Sequence, residues 1–389
     1  MSPAQPASVS WIAVMTLISQ VNCWMSSPKK SCMKRRDFLK LLPLAPLALA
    51  ATGCAPEQEP RLQSQGFLLY GMLIQLSLLD DAPLSIEHAL NEVEQTFKQE
   101  YATIHPWQDS PLTRLNARLP SGAWVELDPA LRAWIERAQA LETRSEAYFS
   151  PAIGALVKLW GFHSSQPNQE RTPPAQSAID ALMHPPPRMS DLEIDGERIR
   201  SHNPHVQLDF NAIAEGFVAQ KVMTQLQSQG LQHALLDTGG DLFALGQVGK
   251  RPWRVAIQNP FAEDALATFE VGSPNAANAV FTSGSYRKQF SYHGTRYSHV
   301  INPRTGWPSQ GLVSVTVVTP DALLADAAAT ALLAAGLTEA PQVAAQMGLD
   351  AVLLVDEHGG LHASPALAPR LKLINSTQKI HLLHSGSAA

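Results

Sequence analysis

Residues able to handle a phosphate group and a proton lie close together between Thr282 and Pro308. Thr282, Ser283 and Gly284 form a small-residue turn whose hydroxyl and amide donors suit a phosphate. His299 follows, and a positioned histidine suits proton transfer, although it could equally serve to hold a hairpin together through a hydrogen bond. This segment holds no acidic residue, so a phosphate-and-proton site here needs a charge partner elsewhere in the chain.

An apolar helix predicted over residues 321–335 offers that partner. It is apolar nearly all round and should be buried, yet it carries Asp326 and Thr330 four residues apart on one face. A buried, unpaired carboxylate is costly, so Asp326 needs a counter-charge or a donor. An arginine or a loop to be capped would meet that need. A Mg²⁺ ion would too, because carboxylate and hydroxyl oxygens are ligands it accepts.

Two other acidic segments qualify as parts of a site. Asp209 precedes a small-residue helix start and is predicted to cap it. Glu215 and Gly216 follow within that helix, and since glycine there costs about 1 kcal/mol relative to alanine, another group is expected to approach the backbone. The Gly-Gly-Asp segment at residues 236–241 is predicted to be an ordinary hairpin turn.

Four aromatic residues at loops or element ends, Tyr70, Trp107, Tyr148 and Phe149, are candidates for stacking on a planar ring such as isoalloxazine or adenine. Most residues of this type belong to a core, so the pattern alone leaves both roles open.

Composition narrows the function class. The chain has 389 residues, 45% of them hydrophobic, and a formal net charge of -5, so it can bury one large core or two smaller ones and offers no basic surface for nucleic acid. Its three cysteines, Cys23, Cys32 and Cys54, all precede residue 55. The body of the protein therefore lacks thiolate chemistry, which favours Mg²⁺ over zinc as a metal.

The N-terminal region is typical of a targeting segment. Basic residues 34–40 and the apolar run 41–51 predict a twin-arginine export signal, and Cys54 resembles a lipidated first mature residue. We expect residues 33–54 to be this signal. We also expect Met33 to be the true start, with residues 1–32 a misassigned extension.

The remaining chain predicts a linker (55–66), one globular domain (67–370) and a C-terminal tail (371–389). Residues 67–78 predict a strand, residues 85–101, 128–141 and 212–229 predict helices, and residues 164–188 predict an exposed insertion. The second half carries short strand-like runs, including residues 206–208, separated by turn residues. The predicted fold class is α+β, with mainly antiparallel sheets and packed helices, and no Rossmann unit.

Five motifs occur in the order typical of one family: LDFNAIAEGF (208–217), DTGGD (237–241), TSGSY (282–286), SHVINPRTGWP (298–308) and ADAAAT (325–330). Together they resemble the ApbE family, the FAD:protein FMN transferases, over about residues 67–354. The resemblance implies an ApbE/T-fold-like domain. It also implies transfer of the FMN half of FAD to a Thr or Ser of a target protein, with release of AMP and with Mg²⁺ at the pyrophosphate.

The resemblance also implies roles for individual residues. His299 is the candidate catalytic base. Asp326, Thr330 and the backbone carbonyl of Ala212 fall on the metal-ligand positions. The FAD-binding candidates, including three near the phosphates, are Tyr70, Trp107, Tyr148, Phe149, Ser150, Asp209, Glu215, Thr282, Ser283, Gly284 and Ile301.

Three positions depart from the family pattern: Tyr70-Gly71-Met72 replaces Met-Gly-Thr, Asn302 replaces an aspartate, and Ala329 replaces a carboxylate that some members carry. Two alternatives stay open: an FAD pyrophosphatase that yields FMN and AMP, with water in place of the protein hydroxyl, and a non-catalytic flavin-binding lipoprotein, which Asn302 and the lost Met make conceivable. The expected location is the periplasm, with an inner-membrane anchor at Cys54. The expected acceptor is a subunit of a membrane redox complex, such as a sodium-pumping one, and the export signal resembles that of nitrous-oxide-reductase accessory members.

Overall fold

The computed structural model describes residues 61–163, 171–273 and 277–383. The predicted extension (1–32), the predicted signal (33–54) with Cys54, and residues 55–60 of the predicted linker lie outside the described residues. Residues 164–170 of the predicted insertion lie outside them as well.

Two helices begin at the N-capping residues that the sequence predicts. Ser85 Oγ accepts a hydrogen bond from His88 N at 3.2 Å, and Asp128 Oδ1 accepts one from Ala130 N at 2.9 Å, so both predicted helix starts are confirmed. The described residues form seven α-helices: α1 (Ile86–Ile104), α2 (Pro111–Asn116), α3 (Pro129–Arg144), α4 (Gly154–Leu159), α5 (Gln176–Met183), α6 (Ala214–Ser228) and α7 (Ala322–Gln346). A 3₁₀ turn at Asn211–Ile213 leads into α6.

The strands are short, and most of them pair with a strand that is next to them in sequence. They are β1 (Leu62–Leu69), β2 (Met72–Leu79), β3 (Val125–Glu126), β4 (Leu192–Asp195), β5 (Arg198–Ser201), β6 (Ala234–Thr238), β7 (Leu242–Leu245), β8 (Trp253–Gln258), β9 (Ala265–Val271), β10 (Ala277–Gly284), β11 (Gln289–Tyr292), β12 (Thr295–Ser298), β13 (Leu312–Thr319), β14 (Ala351–Asp356), β15 (Leu361–Ala363), β16 (Lys372–Leu373) and β17 (Ile380–Leu382).

One large sheet organises the domain. It has nine strands in the order β1-β2-β6-β7-β10-β13-β14-β15-β17, antiparallel throughout except for the parallel pair β15–β17. Small sheets β16-β9-β8, β3-β5-β4 and β11-β12 complete the described part. The predicted α+β class with mainly antiparallel sheets is confirmed.

Helix α7 lies in the core and packs on β10, β13 and α6. Its first turns are buried all round, as the sequence predicts. The regular helix is interrupted at Gly336 (φ 74°, ψ 175°), where the predicted stop is placed. By length and composition α7 could cross a membrane, but it is mostly buried inside the domain, as a core helix is.

Three local predictions differ from the structure. Residues 67–78 are not one strand, because Tyr70 (φ 50°) and Gly71 (φ 81°) both take the left-handed conformation of a tight hairpin turn between β1 and β2. Residues 206–208 form only an isolated bridge, from Gln207 to Ile153. Ser150 does not cap α4, which begins at Gly154; its hydroxyl accepts from Ala152 N at 3.3 Å.

The folded part also extends beyond residues 67 and 370. Strand β1 begins at Leu62, inside the predicted linker, and β16 and β17 lie in the segment predicted to be a tail.

Candidate active site

A cleft of about 560 Å³ opens at one end of the large sheet. The β1–β2 turn, the β6–β7 turn, the end of β10, the start of α6 and the first turns of α7 form its walls. Every predicted site residue except Tyr70 and Trp107 lines it: Tyr148, Phe149, Ser150, Asp209, Ala212, Glu215, Thr282, Ser283, Gly284, His299, Ile301, Asp326 and Thr330. Residues far apart in sequence are thus brought together as the motifs predict.

Asp326 is the buried carboxylate of the site, with 8% of its surface exposed. Its Oδ2 accepts a hydrogen bond from Gly216 N at 2.8 Å, which links α7 to α6. Burial raises the pKa of Asp326 well above its usual value, and the nearby charges of Glu215 and Asp241 raise it further. No arginine pairs with it among the described residues, so its donor is a backbone amide rather than a salt-bridge partner.

Gly216 owes its identity to this contact. A Cβ built on it would lie 2.5 Å from the carbonyl oxygen of Ala322 and 2.6 Å from the Cβ of Asp326. The expectation that another group approaches the backbone at Gly216 is therefore confirmed, and the group is α7 itself.

Hydroxyl groups form another part of the cleft wall. The Oγ of Ser283 and the Oγ1 of Thr330 are 3.0 Å apart, and the Oγ1 atoms of Thr282 and Thr316 are 2.9 Å apart. The amide of Thr282 donates to Asp241 Oδ1 at 2.7 Å. That amide is already engaged, so a phosphate at this end of β10 would meet hydroxyl groups rather than the Thr282 N–H.

Asp241 is a cleft residue that the sequence analysis missed. The β6–β7 hairpin forms at the predicted Gly-Gly turn, but the aspartate that ends this turn points its carboxylate at Thr282 and lines the cleft. Burial raises the pKa of Asp241 to about 7, and the charge of Glu215 adds to the effect. The sequence feature that could have identified Asp241 as a site residue is its position directly after two glycines.

His299 lines the cleft and is held in place by Lys288, the residue that precedes β11. Its backbone N and its ring Nδ1 are each 3.0 Å from the carbonyl oxygen of Lys288. Since a carbonyl only accepts, Nδ1 carries the proton and Nε2 keeps a free lone pair. Burial lowers the pKa of His299 to about 4, and the charges of Lys288 and Arg287 act in the same direction. The imidazole is therefore neutral near pH 7.

Asp209 lines the cleft at the entry to the 3₁₀ turn. Its Oδ1 accepts from Asn211 N at 3.0 Å, so it caps the 3₁₀ turn and not α6, which begins three residues later at Ala214. Burial raises its pKa to about 6, although the charge of Lys288 opposes the shift. Ala212 follows in the same turn and lines the cleft.

Tyr70 and Trp107 do not line the cleft. Tyr70 is 57% exposed and its ring stacks on Tyr101 with 5.2 Å between centroids, while the ring of Trp107 lies 5.4 Å from that of His163. Tyr101 connects Tyr70 to the site, because its hydroxyl donates to Glu215 Oε1 at 3.0 Å. Flavin contacts of Tyr70 and Trp107 stay a prediction.

The donor set suits a cation that takes oxygen ligands. The charge of Glu215 raises the pKa of Asp241 and of Asp326, and the charge of Asp241 raises that of Asp326 further, an arrangement that a positive ion relieves. Within the described ranges no three His, Cys, Asp or Glu side chains form a ready metal cage. An ion here would need hydroxyl, backbone and substrate oxygens as well, which is how Mg²⁺ is commonly bound.

Comparison with known proteins agrees with this geometry. Residues 70–353, well over half of the chain, match the ApbE family. The chain belongs to the ApbE family. It is 37% identical over 311 residues to the FAD:protein FMN transferase of Rhodobacter capsulatus, a match that covers 80% of this chain but spans 58% of that relative's length. The enzyme of the same name from Escherichia coli K12 is 33% identical and is covered over 72% of its length, against 65% of this chain.

Solved ApbE structures share the fold. The apo form of the Pseudomonas stutzeri flavinyl transferase ApbE matches with a TM-score of 0.69 and 29% identity, covering 79% of this chain and 96% of that one. The flavin transferase ApbE of Vibrio cholerae matches with a TM-score of 0.68 and 25% identity, covering 80% and 99%. The predicted ApbE-like fold is thereby confirmed.

Proposed function

We propose that this ApbE protein transfers FMN from FAD to the hydroxyl of a threonine or serine in an acceptor protein, releasing AMP. The observation that carries the proposal is the joining of Asp326, the Ser283–Thr330 hydroxyl pair and a neutral His299 around one cleft. The two sequence relatives compared above are named for this transfer, and the two ApbE structures are named flavin or flavinyl transferases.

Asp326, Thr330 and the backbone carbonyl of Ala212 are the residues that would hold Mg²⁺. When bound, the ion supplies positive charge to the pyrophosphate of FAD as the leaving phosphate becomes more negative. Gly216 fixes the carboxylate of Asp326 through its N–H, so the second carboxylate oxygen is left for a ligand. The buried surroundings strengthen every charge contact made there.

His299 is the proposed base. A new bond forms between the acceptor oxygen and the phosphorus of the FMN phosphate, the bond from that phosphorus to the bridging oxygen breaks, and AMP leaves. The acceptor proton passes to Nε2, the ring nitrogen whose lone pair is free. The Lys288 carbonyl holds the other ring nitrogen and so fixes both the tautomer and the direction of the ring.

The departure at Asn302 does not weaken this proposal. Asn302 does not line the cleft; its Nδ2 donates to the carbonyl of Ala334 at 3.0 Å and its Oδ1 accepts from Arg304 N at 2.8 Å. An ionised aspartate could make only the second of these bonds. Asn302 therefore braces the loop against α7 and does not take part in the cleft.

The N-terminal sequence supports the periplasm as the proposed place of action. An exported, lipidated protein would meet acceptors at the outer face of the inner membrane, which supports a subunit of a membrane redox complex as the acceptor.

The test is transfer itself. Purified protein, FAD, Mg²⁺ and candidate acceptor subunits should give an acceptor band that fluoresces as a flavin in a denaturing gel. Asp326→Ala should abolish the band, while Asp264→Ala, on an exposed loop away from the cleft, should not. Absence of a band with every acceptor, together with intact FAD, would leave only flavin binding. Release of AMP without any labelled acceptor would favour the pyrophosphatase.

A further inference from the structure

Arg287 occupies a position in the cleft that the proposed mechanism has not used. It lies just before β11, three residues after the Thr-Ser-Gly segment, and lines the cleft. Its guanidinium rests on the β6–β7 turn, with Nη1 3.4 Å from the carbonyl oxygen of Gly239. A Cβ on Gly240 would lie 3.2 Å from Nη2, so the second glycine leaves room for this side chain.

The cleft carries more acidic than basic side chains, so an anionic substrate needs cationic groups to bind there. Among the described residues that line it, four carboxylates (Asp209, Glu215, Asp241 and Asp326) face two cations, Arg287 and Lys288. The pyrophosphate of FAD would add two negative charges. A pyrophosphate can therefore bind only where cationic groups are aimed at it.

Of the two cations, Arg287 has the larger number of donors to spare. Lys288 donates its Nζ to the carbonyl of Phe162 at 2.5 Å and is half buried. Within the described residues Arg287 makes no ion pair within 4.0 Å, although its charge acts on Glu215, Asp237 and Asp241. A guanidinium has five N–H donors in a planar fork, and here only one is engaged, in a long bond.

We propose that Arg287 is a substrate-binding residue that donates to the non-bridging oxygens of the FAD pyrophosphate from the β6–β7 turn, on which its guanidinium rests. This inference rests on the proposed function. The planar fork fits two phosphate oxygens at once, which a lysine cannot do. In the free protein the Gly239–Gly240 turn holds the side chain in place, and the neighbouring carboxylates keep it near the cleft.

The same contact assists transfer. As the bond between the FMN phosphorus and the bridging oxygen breaks, the electron pair goes to the departing AMP phosphate. A guanidinium that already donates to that phosphate stabilises the added charge without rearrangement. Arg287→Met should therefore lower the rate of AMP release as well as the affinity for FAD.

The experiment measures FAD binding by flavin fluorescence in Mg²⁺ buffer without acceptor, for the wild type, Arg287→Met and Arg287→Lys. Loss of a charge-assisted phosphate contact should weaken FAD binding about ten- to hundredfold in Arg287→Met, with Arg287→Lys in between. Riboflavin, which lacks both phosphates, should compete equally well against all three. The matched control is Arg296→Met on β12, which is exposed, lies in the hairpin that follows Arg287 and is outside the cleft.

Each outcome decides the proposal. An Arg287→Met protein that binds FAD within twofold of the wild type overturns it. Equal weakening of FAD and riboflavin also overturns it, because that pattern means altered packing rather than a lost phosphate contact. A wild type that binds no FAD refutes the proposed function itself, whereas normal transfer by the wild type with unchanged Arg287→Met binding refutes only the role of Arg287.

Discussion

Gly216→Ala tests whether the contact between α6 and α7 sets the position of Asp326. Ordinary contact begins at 3.4 Å, and the new Cβ would lie 2.5 Å from the Ala322 oxygen, a shortfall of about 0.9 Å. The obstacle is backbone, which cannot rotate away as a side chain can. The two helices must therefore separate, and the carboxylate of Asp326 moves away from the N–H that holds it.

The expected cost combines two opposing effects. Overpacking of this kind costs about 1–3 kcal/mol, whereas alanine in a helix is favoured over glycine by about 1 kcal/mol. The net loss in the free energy of unfolding should be about 0–2 kcal/mol, which lowers Tm by a few degrees. Transfer should fall much further, about a hundredfold, because a misplacement of about 1 Å at the reacting groups can cost that much.

The assay pairs a thermal unfolding curve with the initial rate of acceptor flavinylation at saturating Mg²⁺. Gln227→Ala, an exposed change on the same helix, is the control and should leave both readings near those of the wild type. A Gly216→Ala protein with raised Tm and full activity would refute the reasoning, since an unhindered glycine-to-alanine change in a helix gives that result.

Three further predictions concern the charges and hydroxyls of the cleft. His299→Gln should slow transfer about 10²–10⁴-fold with FAD affinity unchanged, and loss of FAD binding would instead mark His299 as structural. Burial raises the pKa of Asp209 to about 6 and of Asp241 to about 7, so ionisation of these groups destabilises the metal-free fold increasingly as pH rises from about 4 to 7. Mg²⁺ should therefore raise Tm more at pH 8 than at pH 5.5. Equal shifts at the two pH values would contradict this. Tyr101→Phe should weaken FAD binding about fivefold by freeing Glu215, measured by fluorescence titration, with the exposed Tyr292→Phe as a neutral control.

Much of the site was predictable because some of its residues are unfavourable in the helices that carry them. A carboxylate in an apolar helix and a glycine inside a helix both cost free energy, and at Asp326 and Gly216 the two costs turn out to be one contact. The sequence could say that each residue needs a neighbour. It could not show that Asp326 and Gly216 are neighbours of each other, because their contact depends on how α6 and α7 cross.

Other features could not be predicted for similar reasons. Asp241 obeys the rules of a hairpin turn, so its sequence shows no local conflict, and only the pairing of β7 with β10 brings it to Thr282. Tyr70 gives no sign of a left-handed conformation, since aromatic residues rarely adopt one, and the β1–β2 hairpin was consequently predicted as one strand. Arg287 was passed over because an exposed arginine is ordinary until the carboxylates around it are known.

The most direct test of the central claim compares two products in one reaction. Wild-type protein is incubated with FAD, Mg²⁺ and an acceptor, and AMP is quantified by chromatography while acceptor-bound FMN is quantified by mass spectrometry. The account predicts that both appear in equal amounts, that neither forms with Asp326→Asn, and that AMP release nearly stops when the acceptor is omitted. AMP released at the same rate without acceptor would contradict it.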